Sequence, residues 1–120
     1  MKELNVHIES LDRFFGDALA AGRRLDKGVR REGKGKLAFQ SMEGMLKLLT
    51  ANRWGLLAAL RRQGPGSVRA LARALGRDYR GVHADVAALI DAGLILREGP
   101  ARISVPWSRI TAQADLDAAA

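Results

Sequence analysis

Arg77, Tyr79, Arg80 and His83 lie within seven positions of one another, with the small Ala84 directly after them. Two guanidiniums, a phenol and an imidazole supply hydrogen-bond donors and flat rings. They do not supply an activated nucleophile, because no base stands beside Tyr79. An arginine can grip a guanine edge through two parallel hydrogen bonds, and a small apolar side chain can meet a thymine methyl. At the outward start of a helix, these residues would form a reading surface for the major groove of double-stranded DNA. Lone arginines and histidines are also ordinary solvated surface, so the elements that hold them decide between the two readings.

Those elements can be read from spacing. Gly64-Pro65-Gly66 breaks the chain and Ser67 follows as a candidate N-cap. Val68, Leu71, Ala72 and Leu75 recur at helical spacing, with Arg69 and Arg73 one turn apart on another face. Gly76 suits a helix end that requires positive φ. Asp78 is the next N-cap candidate, and Val82, Val86, Leu89 and Ile90 give the second helix a buried stripe ending at Gly93. Ala72 is small enough for a close helix crossing, Gly76 turns the chain four residues later, and Val82 packs back six after that. Helix-turn-helix proteins share this Ala–Gly–Val spacing. They often carry an apolar residue three after the valine; here that position is Asp85, and Val86 takes the core role. Leu94 to Glu98 and Arg102 to Val105 read as short strands around a Gly99-Pro100-Ala101 tip. Ile103, Val105 and Trp107 alternate along one face. Arg97 and Arg102 flank the tip, placed for phosphates or the minor groove.

Gly76 to Tyr79, Val82, Asp85-Val86, Leu89 and Gly93 to Ile95 resemble the multiple-antibiotic-resistance-regulator (MarR) type of winged helix. The chain is more closely similar to small prokaryotic DNA-binding regulators, sometimes encoded beside toxin genes. Phe39, Ser41, Glu43, Leu49-Thr50, Arg53, Leu56-Leu57 and Leu60 also fit that group, so the resemblance covers about residues 39 to 107. It implies a dimeric transcription regulator. It leaves open an antitoxin that both represses its operon and binds a cognate toxin. A winged-helix module that binds protein alone is a further alternative, since fold does not fix function. Such a module should carry an apolar or acidic outer face on its second helix, whereas this one is basic and aromatic.

Composition narrows the classes. The 120 residues suffice for one modest domain, and 48% hydrophobic content is too high for a disordered tail. There is no cysteine, hence no disulfide and no thiolate metal site. No apolar run reaches membrane-span length and residues 1–5 lack a signal-peptide core, so the expected location is cytoplasmic. The net charge of +7 favours an anionic partner. Residues 22–36 concentrate it, with seven Lys/Arg against Asp26 and Glu32. His7 and His83 are far apart, and no His-Glu-x-x-His, nucleophile elbow or phosphate-binding glycine motif occurs. The chain therefore reads as a non-enzyme without catalytic residues, metal or cofactor.

Ahead of the helices, Leu4, Val6 and Ile8 alternate as a strand, and Ser10 can cap a helix striped by Leu11, Phe14, Phe15, Ala18 and Leu19. Arg23 to Lys36 contains Gly28, Gly33 and Gly35 and reads as a flexible connection or helix end. It is either a solvated linker or a phosphate-tracking arm using Lys34 and Lys36. Lys36 to Gln40 is a second strand candidate, with Leu37 and Phe39 on one face. Ser41 can cap a helix carrying Met42, Met45, Leu46 and Leu49. Thr50 can cap one running to about Gln63 with Trp54, Leu57, Ala58 and Leu60 as its core face. Trp107 to Leu116 is compatible with a strand or a short helix.

The expected fold class is mainly α with a small β-hairpin (α+β): a winged helix-turn-helix preceded by a strand-helix-strand dimerisation segment. Residues 1–49 are the dimerisation segment and basic linker, 50–107 the DNA-binding domain and 108–120 a C-terminal tail. The expected base readers are Arg77, Tyr79, Arg80, His83 and Ala84. The expected phosphate or minor-groove contacts are Ser67, Arg69, Arg73, Arg97, Arg102, Lys34 and Lys36. Val6, Ile8, Leu11, Phe14, Phe15, Leu19, Leu37 and Phe39 are the expected homodimer contacts; packing against the same chain is the alternative.

Overall fold

The computed structural model describes residues 2–8, 29–31 and 35–116, with the side chains of residues 29–31 left out. Leu11, Phe14, Phe15, Leu19 and Lys34 lie outside the described residues, as does the expected helix after Ser10. The described chain is an α+β fold of four helices and six short strands. It divides into two units: residues 1–47 with 109–120, and residues 48–108.

The first unit is built on a four-stranded sheet in the order β2-β3-β1-β6, from β1 (Glu3–Ile8), β2 (Val29–Arg31), β3 (Lys36–Phe39) and β6 (Arg109–Gln113). Strand β1 is internal and pairs in parallel with both β3 and β6. Val6 lies opposite Leu37 on one side and Ala112 on the other. The alternation in β1 has its expected result: Leu4, Val6 and Ile8 are buried, while Glu3 and Asn5 are exposed. Parallel neighbours need long connections, and residues 9–35 and 40–108 are long enough to make them.

Two expectations change here. The basic stretch 23–36 contains strand β2, antiparallel to β3 with Val29 opposite Phe39. Just before β3, Gly35 adopts φ 77°, and an added Cβ there would lie 2.7 Å from the Glu3 carbonyl oxygen. Strand β3 is buried on both faces rather than one, because Ala38 is as enclosed as Leu37 and Phe39. Of the strand or short helix open to Trp107–Leu116, the strand is found: Arg109–Gln113 is β6, an edge of the sheet.

Helix α1 (Met42–Leu48) follows β3, its first turn closed by Ser41 Oγ accepting from the Gly44 N–H at 3.1 Å. Met45 and Leu49 are buried, whereas Leu46, expected on the same stripe, is 60% exposed.

The second unit holds α2 (Ala51–Gln63), α3 (Val68–Leu75), α4 (Tyr79–Ala92) and the antiparallel pair β4 (Leu96–Arg97) and β5 (Ile103–Ser104). Thr50 and Ser67 cap α2 and α3, their hydroxyls accepting from Arg53 N–H and Ala70 N–H. Gly76 and Gly93 end α3 and α4 in the left-handed region, at φ 64° and 93°, as their positions require. The core takes Leu56, Leu57 and Leu60 from α2, Leu71 and Ala72 from α3, and Val82, Val86, Leu89 and Ala92 from α4. The buried stripe of α2 is rotated from the expected one: Leu56 is inside, Ala58 is exposed and Trp54 is half-buried. Leu94 and Ile95, expected in the first hairpin strand, instead close the end of α4, both donating to the Leu89 carbonyl. Strand β5 also bonds backward, exchanging both backbone hydrogen bonds with Gly66. Arg102 donates to the Pro65 carbonyl and Arg61 to the Val105 carbonyl, and these bonds tie the hairpin to the helices.

Candidate nucleic-acid interface

The α3–turn–α4 segment presents one outward face. Val82 and Val86 direct the inner side of α4 into the core, so Tyr79, Arg80, His83 and Ala84 fall on its exposed side. Tyr79 is the first helical residue and 37% exposed. Arg69 on α3 places its guanidinium carbon 4.7 Å from the centre of the Tyr79 ring. The His83 ring lies one turn further along, 5.7 Å from the Tyr79 centroid and tilted by 43°. Cation–π attraction thus links the two helices across the turn. Arg80 and Arg73 are exposed and have no hydrogen-bond or ion-pair partner among the described residues. Asp78 is the acid among them: it stands at the α4 N-cap with extended backbone but makes no capping hydrogen bond.

Arg77 is placed differently from the other expected base readers. Its Nη2 donates to Asp85 Oδ2 at 2.9 Å, and Arg53 Nε donates to Asp85 Oδ1 at 3.1 Å. Arg53 Nη1 also donates to the Leu48 carbonyl at 3.0 Å. One carboxylate, 17% exposed, therefore joins the start of α2, the turn between α3 and α4, and the middle of α4. Shared between two guanidiniums, Asp85 fills the place where an apolar side chain is common in such motifs. Arg77 can still reach outward with its remaining donors, but only from a fixed anchor.

The other expected contacts are spread more widely. Ser67 is engaged as the α3 cap. Arg97 is exposed on β4, and Arg102 is exposed while bonded to Pro65. Lys36 is exposed on β3, in the sheet unit. At the base of the hairpin, Ser104 donates to Glu98 Oε1 at 2.7 Å and Trp107 Nε1 donates to the Leu94 carbonyl at 3.1 Å. The tip is therefore carried on a fixed base. Of the expected dimer contacts that are described, Val6, Ile8, Leu37 and Phe39 are all buried within the single chain. They do not need a second copy to cover them.

Sequence reasoning missed the Arg53–Asp85–Arg77 link and the Arg69–Tyr79 pair. A signal for the first existed: an aspartate three after Val82, at a position whose neighbours are apolar, needs a cationic partner. Nothing in the spacing identified Arg53 as that partner. Among the described residues, no helix is long and apolar enough to cross a membrane, and no three His, Asp or Glu side chains are grouped to hold a metal ion. No curated protein and no solved structure matches the chain. The HVO_A0114 family model matches residues 48–112, which span α2, α3, α4 and the hairpin. Since that stretch is more than half of the 120 residues, the chain belongs to the HVO_A0114 family.

Proposed function

We propose that residues 50–107 are a winged helix-turn-helix of the MarR type and that the protein is a sequence-specific, double-stranded-DNA-binding transcription regulator. In this reading it is a dimeric repressor acting in the cytoplasm, and not an enzyme. The observation that carries the reading is the outward N-terminal face of α4. There Arg80 is exposed without a partner among the described residues, beside Tyr79 and His83 and next to Arg69 on α3. With α4 in the major groove, Arg80 reads a guanine edge and Ala84 meets a thymine methyl. Arg69, Arg73 and Arg97 neutralise phosphates, and Arg77 sets the height of the turn through Asp85.

A duplex selected by the protein from a randomised pool provides the test. Arg80→Ala is expected to weaken binding to that duplex by about 1–3 kcal/mol and to relax preference at one base pair. Failure to enrich any duplex, or wild-type affinity with unchanged base preference in the variant, would remove α4 from the readout. A salt titration addresses the backbone contacts. Arg73→Ala and Arg97→Ala are each expected to lower the slope of log affinity against log salt by roughly one unit. An unchanged slope would assign that arginine to solvated surface.

A further inference from the structure

Asp78 is the exception among the acids of the helical unit. Residues 48–108 contain four acids, Asp78, Asp85, Asp91 and Glu98, against nine arginines and no lysine, so an acid there does not lack for cations. Asp85 is shared between Arg53 and Arg77, Glu98 accepts from Ser104, and Asp91 is also engaged. Asp78 is exposed, and its carboxylate has no hydrogen-bond or ion-pair partner among the described residues.

The position normally supplies a partner. An aspartate at a helix N-cap ordinarily accepts from a backbone N–H of the first turn, as Thr50 and Ser67 do on α2 and α3. The Asp78 backbone is already extended as a cap requires, and its carbonyl accepts from the Val82 N–H. Only the side chain takes no part.

On a face that meets DNA, a free carboxylate has a defined effect. Phosphates repel it whatever the base sequence, so it lowers affinity for every duplex. It recovers that loss only where a base presents a hydrogen-bond donor. In the major groove the donors are the amino groups of adenine and cytosine. The adenine amino group lies beside the N7 acceptor, which opposes a carboxylate, whereas cytosine presents its N4 amino group alone. Arg80, two positions on and exposed, suits the opposite pattern, the paired acceptors of guanine. A surface discriminates in this way by penalising all sequences and relieving the penalty at one.

We propose that Asp78 is a specificity-determining residue whose carboxylate accepts from the N4 amino group of a cytosine in the recognised sequence. This rests on the DNA-binding reading above and deepens it.

The test uses the full chain and the duplex it selects from a randomised pool, with Asp78→Ala and Asp78→Ser compared with wild type. Serine can cap the helix but carries no charge. Thermal melting establishes that each variant is folded. In both variants, preference at one C·G pair of the selected duplex is expected to fall by about tenfold. Affinity for a random-sequence duplex is expected to rise severalfold, because a repelling charge has gone. A residue that served only the helix end would give the opposite sign: Asp78→Ala would weaken binding to every duplex alike, and Asp78→Ser would restore it. That result overturns the proposal. So does wild-type preference at every base pair in both variants, or a preference lost at a pair other than C·G. If Arg80→Ala still relaxes its own base pair, the reading of bases by α4 survives such a failure. If the wild-type protein enriches no duplex, both fall.

Discussion

Asp85→Ala is expected to destabilise the protein by about 2–4 kcal/mol, somewhat below the range for breaking a fully buried ion pair because the groups are partly exposed. Asp85 is 17% exposed, and its partners Arg53 and Arg77 are 21% and 32% exposed. The loss is not simply that of two hydrogen bonds. Removing the carboxylate leaves two guanidiniums close together in a partly desolvated site without the negative charge they share. Replacing all three groups together by apolar residues of similar volume (Asp85→Leu, Arg53→Met, Arg77→Leu) should recover most of the loss, since such exchanges are often neutral. Urea titrations of wild type, single and triple variants measure both effects. A single-variant loss under about 1 kcal/mol, the size typical of exposed pairs, would show that solvent already screens the site.

Phe39→Ala carries the second large effect, about 3–5 kcal/mol from lost transfer energy and the cavity left behind. Phe39 is fully buried on β3, opposite Ile8 on one side and Val29 on the other. Because its ring is enclosed by its own chain, the loss is expected to be the same at low and high protein concentration. The variant that folds should keep the oligomeric state of the wild type. A residue covered by a second copy would behave otherwise, with a loss that grows on dilution. Urea titrations at two concentrations, with light scattering on the same samples, distinguish the cases. A dilution-dependent loss would return Phe39 to an interface between copies.

The helical unit is largely legible in the amino-acid sequence, because its signals are local. Thr50 and Ser67 each cap within three residues, Gly76 and Gly93 stop helices by backbone geometry, and Val82 and Val86 set one stripe. The sheet unit is legible only in part. The alternation of Leu4, Val6 and Ile8 identifies β1, but pairing between strands far apart in sequence leaves no mark at either strand. Val29-Arg30-Arg31 has the composition of a basic loop and becomes a strand because β3 offers it a ladder. Arg109 to Gln113 likewise becomes a strand on β1. At the candidate interface, periodicity separates inner from outer residues, so the positions of Tyr79, Arg80, His83 and Ala84 follow. It cannot show that Arg77 is anchored, since that depends on Asp85 eight residues on and on Arg53 in another helix.

The pairing of β1 with β6 joins Glu3 to Arg109, more than a hundred positions apart, whereas residues 48–108 form their unit from one uninterrupted stretch. Chains fold as they emerge during synthesis, and contacts distant in sequence form late because a long loop must close first. The helical unit has all its parts once residue 108 is made. The sheet unit has to wait for residues 109–113, although β1 is made about a hundred residues earlier. During that interval one side of β1 has no ladder partner. The chain is then most open to wrong pairing, and the time spent there is set by translation rather than by the stability of the finished fold.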